Sequence, residues 1–248
     1  MRIDHPHTGQ IPALQALWQE AFGDSPAFIH SFFDTAYAPR RCLCITLEDT
    51  VVAAAYWLDC KYDDRPAAYI YAVATGKAYR GQGYCRLLMT HIHAHLAALG
   101  YAGAILVPGE PTLRTMYRAM GYQDLGGMEE QFAAARGHTP LWEISPEAYG
   151  QLRPSYLPLG GVVQEKENLT FLARHYRFYQ GTGFILTAQV QNGSLFAPEL
   201  LGNADPAGIL TALDAREGTF RVPGKQPFAM WHPLTAAPAP TYFGFAFD

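Results

Sequence analysis

The segment Arg80-Gly81-Gln82-Gly83-Tyr84-Cys85 joins a run that reads as a strand, residues 67–74, to one that reads as a helix, residues 84–99. No other feature constrains the fold as much. A strand feeding a glycine-bearing turn that opens a helix exposes unpaired backbone N–H groups, and the helix dipole adds about half a positive charge at that end. Glycines let an anion come close to the backbone. Arg80 and Arg86 add charge at either end of the turn. The pattern predicts an α/β fold carrying a pyrophosphate cradle.

Elements on both sides follow from periodicity. Leu14, Leu17, Trp18 and Phe22 have helical spacing over residues 11–22. Gly23-Asp24-Ser25-Pro26 stops that helix and starts another, to about residue 37, with Ser25 as N-cap and Pro26 at the first helical position. Residues 41–47, 51–60 and 67–74 read as an antiparallel meander with turns at Glu48-Asp49 and Asp63-Asp64. In the helix over 84–99, Cys85, Leu88, Met89, Ile92, Leu96 and Leu99 form an apolar stripe, and Gly100 ends it. A buried strand over 102–107 follows, then a short helix from Thr112 with Leu113, Met116, Tyr117 and Met120 on one face, then strands over 123–135.

The proline-punctuated stretch 136–160 reads as a connection, which divides the chain into domains 1–138 and 139–248. The second half repeats the order of the first: a hairpin of 184–190 and 194–201 around Asn192-Gly193, a helix from Asp205-Pro206 to about 213, and a strand over 219–222. Tyr242 to Asp248 reads as a final aromatic strand.

Composition narrows the function. The 248 residues are 49% hydrophobic and carry a net charge of -4, which argues against a nucleic-acid partner, for that requires a basic face. No apolar run reaches membrane-spanning length, so no membrane partner is expected. The first ten residues include Asp4 and do not read as a signal peptide; a cytoplasmic location is expected, with Cys42, Cys44, Cys60 and Cys85 as free thiols. His91, His93 and His95 offer no metal site, because His93 faces away from the other two on a helix.

Arg80-x-x-Gly83-x-Cys85 resembles the acetyl-CoA motif Arg/Gln-x-x-Gly-x-Gly/Ala of the GCN5-related N-acetyltransferases (GNAT), with Cys85 in place of the family's Gly or Ala. Tyr117-x-x-x-Gly121-Tyr122 resembles that family's Tyr-x-x-x-Gly-Phe element. The resemblance covers about residues 1–135, and the layout is similar to tandem members with a degenerate second half. It implies a GNAT fold, a mixed and mostly antiparallel sheet flanked by helices, followed by a degenerate GNAT-like copy. It also implies acetyl-CoA as co-substrate, held by Val73, Ala74, Thr75, Arg80, Gly81, Gln82, Gly83, Tyr84, Cys85 and Arg86, and no metal.

The expected activity is transfer of acetyl from acetyl-CoA to a primary amine of a small molecule or peptide by direct attack. A non-catalytic acyl-CoA-binding regulator is the alternative. Tyr117 is the expected proton donor to the leaving thiolate, a phenol having a pKa of about 10. Glu110, Glu129, Glu130 and Asp248 are candidates for the base. The second half has an acid, Asp205, where the first has its cradle, so it is expected not to bind CoA.

Overall fold

The computed structural model describes residues 1–247. They form two compact units: one of residues 1–60, 64–123 and 231–238, the other of 61–63, 124–230 and the residues from 239 onward. The division thus differs from the 138/139 boundary read from the sequence. The chain enters the second unit after Gln123 and returns to the first with Trp231–Pro238.

The first unit begins with β1 (Arg2–Asp4), α1 (Ile11–Phe22), α2 (Pro26–Thr35), β2 (Cys42–Leu47), β3 (Thr50–Tyr62) and β4 (Arg65–Thr75). It continues with α3 (Tyr84–Ala98), β5 (Gly103–Leu106), α4 (Leu113–Arg118) and β6 (Gln123–Asp124). The second unit contains β7 (Met128–Ala134), β8 (Leu141–Ile144), α5 (Pro146–Tyr156), β9 (Val163–Gln164), α6 (Glu167–Leu172), β10 (Arg177–Gly181), β11 (Phe184–Gln191), β12 (Ser194–Gly202), α7 (Pro206–Ala212) and β13 (Glu217–Pro223). Strand β14 (Met230–Pro233) leads the chain back into the first unit.

In the first unit the strands run β1-β2-β3-β4-β5-β14-β6. Glu48 and Asp49 at one hairpin, and Asp63 and Asp64 at the next, all have positive φ, the geometry that two-residue hairpin turns require. Ser25 caps α2 by accepting from the Phe28 amide at 3.2 Å. α3 crosses from β4 to a parallel β5, burying Leu88, Met89, Ile92 and Leu96 against the sheet. α1 buries Leu14, Leu17 and Trp18.

The second sheet runs β7-β13-β12-β11-β10-β8. It repeats the plan of the first: antiparallel β10, β11 and β12, a crossover helix α7, and β13 parallel to β12. The chain is therefore a mixed α/β fold followed by a second, shorter copy of the same arrangement. Asn192 and Gly193 make the β11–β12 turn with φ of 55° and 77°. The aromatic run ending the chain is not a strand. Tyr242 makes one isolated bridge with Gly161, while Phe243 and Phe245 are buried without a ladder. Stretch 136–160 holds a helix, α5, capped by Ser145. From it Arg153, fully buried, pairs with buried Glu199 through two bonds of 2.8 Å, and Tyr149 and Tyr242 each donate to Glu199 at 3.0 Å.

In each sheet the strand flanking the parallel pair comes from the other half of the sequence. β14 lies between β5 and β6, and β7 pairs antiparallel with β13.

Candidate active site

β4 and β5 are paired at Ala68–Ala104 and Tyr69–Ile105. The pairing ends there, and three residues further along β4 Ala72 has a φ of +47°. A left-handed alanine inside a strand costs on the order of 1–2 kcal/mol, a strain more often found at functional sites than elsewhere. The Gly76 amide still donates to the Val52 carbonyl at 2.9 Å, so the end of β4 stays fixed to β3. Val73, Ala74 and Thr75 thus lie past the last β4–β5 pair, and we call the opening beside them the slot.

The turn after β4 carries the predicted cradle. Gly81 and Gly83 have φ of +75° and +85°, which glycine adopts without cost, and a Cβ at either would meet nothing within 4 Å. Gly83 is the residue before α3, so the helix has no capping side chain there and its mouth lies open. Arg80 lays its guanidinium back over the end of β4, Nε donating to the Thr75 carbonyl at 3.0 Å. Gln82 anchors the turn by donating to the Ala78 carbonyl at 3.2 Å. Slot and cradle are thus joined through Arg80.

Tyr84 and Cys85 are half-buried in the first turn of α3, and exposed Arg86 donates through Nη1 to the Ala119 carbonyl at 2.9 Å, tying α3 to the end of α4. Tyr117, on α4, is buried. Burial, then the neighbouring Cys85, raises its pKa well above the ordinary phenol value, which keeps it protonated. Burial likewise raises the Cys85 thiol, with Arg86 opposing. The structure therefore brings Cys85, where the motif departs from its usual residue, beside Tyr117. Next to these lies a cavity of about 240 Å³ lined by Arg86, Met89, Thr90, His93, Ala119 and Met120.

Of the base candidates, Glu110 is exposed just after β5 and accepts from the Thr112 hydroxyl at 3.3 Å. Glu129 and Glu130 are exposed on β7, and so belong to the second unit; Glu130 accepts from Arg221 at 3.1 Å. Asp248 lies outside the described residues. Sequence reasoning passed over Ala72, which carries no signal, and over His232, and weighed His93 only as a metal ligand. The two imidazoles stack face to face, centroids 3.9 Å apart, and His93 Nε2 is 2.9 Å from the Tyr122 hydroxyl. Among the described residues no group of three or more His, Cys, Asp or Glu is placed to hold a metal ion.

In α7 the equivalent helix mouth is closed: Asp205 accepts from the Ala207 amide at 3.1 Å. The carboxylate supplies the negative charge that an anion would otherwise bring.

The acetyltransferase (GNAT) domain model matches residues 2–124. Among solved structures, a GCN5-related N-acetyltransferase from Anabaena variabilis is 15% identical, with a TM-score of 0.74 over 94% of this chain and 73% of that one. A GCN5-related N-acetyltransferase from Kribbella flavida is 17% identical, with a TM-score of 0.69 over 94% of this chain and 72% of that one. Eis1 from Mycobacterium abscessus is 12% identical, with a TM-score of 0.69 over 94% and 74%. At such identities the likeness concerns the fold, and it spans both halves. No curated protein matches the chain in sequence. Motif and domain match agree: residues 2–124 carry an acetyltransferase (GNAT) domain.

Proposed function

We propose that this protein transfers acetyl from acetyl-CoA to a primary amine of a small molecule or peptide by direct attack. The observation that carries the proposal is the open helix mouth at Gly83 adjoining the slot between β4 and β5. The amides of Gly81 to Arg86, with the Arg80 and Arg86 guanidiniums, would hold the pyrophosphate. The Val73–Thr75 edge, unpaired on the β5 side, would bind the extended pantetheine arm and aim an amide at the thioester oxygen. The amine nitrogen attacks the carbonyl carbon, the C–N bond forms and the C–S bond breaks. Nitrogen gives up a proton to solvent, while Tyr117 supplies one to the departing thiolate and is reprotonated from water.

A net charge of -4 suits an amine rather than a nucleic acid as partner, and no helix of the described residues is long and apolar enough to cross a membrane. A cytoplasmic place for the reaction belongs to the same proposal, since all four cysteines are free thiols.

The test is release of free thiol from acetyl-CoA in the presence of a panel of primary amines, paired with thermal unfolding with and without CoA. Wild type is expected to release thiol with at least one amine and to melt several degrees higher with CoA. Arg80→Glu should abolish both effects, because it places a carboxylate beside the phosphates. A panel that yields no thiol, or a variant that keeps the CoA shift, would refute the assignment.

A further inference from the structure

Behind Tyr117 lies a set of rings that acetyl transfer as outlined above does not use. The Tyr122 ring meets Tyr117 edge-on with centroids 5.6 Å apart. Its hydroxyl is 2.9 Å from His93 Nε2 on α3. His93 in turn stacks on His232 from β14, the planes only 10° apart. Gly121 makes the approach feasible: its φ is +91°, and a Cβ there would lie 2.9 Å from the His232 ring. Where the family's Tyr-x-x-x-Gly-Phe element ends in phenylalanine, this chain carries a buried tyrosine. A buried hydroxyl without a partner destabilises a fold, and His93 supplies that partner.

We propose that His93, Tyr122 and His232 are positioning residues for Tyr117, fixing the plane and place of its ring through one hydrogen bond and a series of ring contacts, with His232 supplied by the C-terminal strand. The proposal rests on the proton-donor role assigned to Tyr117. His93 clamps Tyr122 from α3, Tyr122 abuts Tyr117, and His232 closes the far side of His93. None of the three needs to touch a substrate.

A double-mutant cycle on the full-length protein separates positioning from general support. The reading is kcat for thiol release from acetyl-CoA with a pool of spermidine, glycinamide and kanamycin as acceptors. Tyr117→Phe is expected to slow turnover, while His93→Phe and Tyr122→Phe each lower kcat about tenfold with an unchanged KM for acetyl-CoA. In the Tyr117→Phe background neither substitution should slow the reaction further, since the group they position is gone. A tenfold loss that persists in that background, or single variants as fast as wild type, overturns the positioning role. Should Tyr117→Phe itself keep full turnover, the proton-donor assignment fails; no turnover by wild type with any of the three amines overturns the reaction and the positioning together. If His93→Phe does not fold, Tyr122→Phe, which removes a single oxygen, carries the cycle alone.

Discussion

Burial holds the imidazole of His93 at a pKa of about 3, with nearby His232 adding to the effect. His232 is shifted in the same direction, chiefly by burial. A histidine ordinarily titrates near 6.5. Its neutral form is therefore favoured in the fold, and the stabilisation is complete above about pH 6.5 and lost as pH falls from there toward 3. The ionisable groups around it are Arg86 on the same helix, Tyr122 just past α4 with Tyr117 behind it, and His232 on β14. The phenols, held protonated by burial, offer His93 no negative charge that would offset a proton. Urea unfolding at pH 6.5 and 4.5 is expected to show wild type losing on the order of 2 kcal/mol more than His93→Phe over that interval, one extra proton bound by the unfolded state being worth about 1.4 kcal/mol per pH unit. Equal losses would place the acid sensitivity elsewhere. None of this was legible in the sequence. By its spacing His93 is only a helix residue that faces away from His91 and His95, and its partner lies on a strand that no local pattern announces.

Among the elements, α3 and α7 differ at their N-termini. Both follow a strand and begin a crossover, but α3 opens at glycines with positive φ, whereas Asp205 caps α7 with its own carboxylate. Giving α3 the same device tests whether the mouth is an anion site. Gly83→Asp is expected to weaken CoA binding at least tenfold, by repulsion and by occupying the amides, as read by calorimetric titration. The secondary structure should survive, because aspartate tolerates a left-handed backbone better than most residues. Undiminished affinity would locate the phosphates away from the helix mouth. Local chemistry made these parts readable: Ser25-Pro26, Asn192-Gly193 and the cradle glycines each require a particular backbone. α5 was missed because its Gly150 and Pro154 break the helical signal, and because the large side chains it buries are Tyr149 and a charged Arg153 rather than an aliphatic stripe. Residues 242–247 misled in the opposite sense, for an aromatic run with strand composition packs without a ladder.

On the scale of the whole molecule, local pattern gives way to topology. The order of elements in each half can be read from periodicity and turns. Which strand completes which sheet cannot be, because β14 joins a neighbour more than a hundred positions away, and a short apolar run carries no address. This arrangement makes the GNAT domain dependent on the far end of the chain. Trp231 is fully buried, and its ring packs so closely on Gly103 of β5 that a Cβ there would lie 2.2 Å from it. Leu234 donates its amide to the Ala102 carbonyl at 3.0 Å, extending the seam. A protein ending at residue 138 would include all of the sequence motifs yet lack β14, leaving one edge of β5 unpaired and the Trp231 site empty. Removing a buried tryptophan ring alone costs about 3–5 kcal/mol, a large share of the stability of an ordinary domain. Exposed edges of this kind also recruit other chains. The truncated form is therefore expected to aggregate or to lack a cooperative melt, and to show no CoA-dependent shift, while full-length Trp231→Phe keeps both at reduced stability. A monomeric 1–138 that unfolds cooperatively and responds to CoA would mean that the motif-bearing half folds without its borrowed strand.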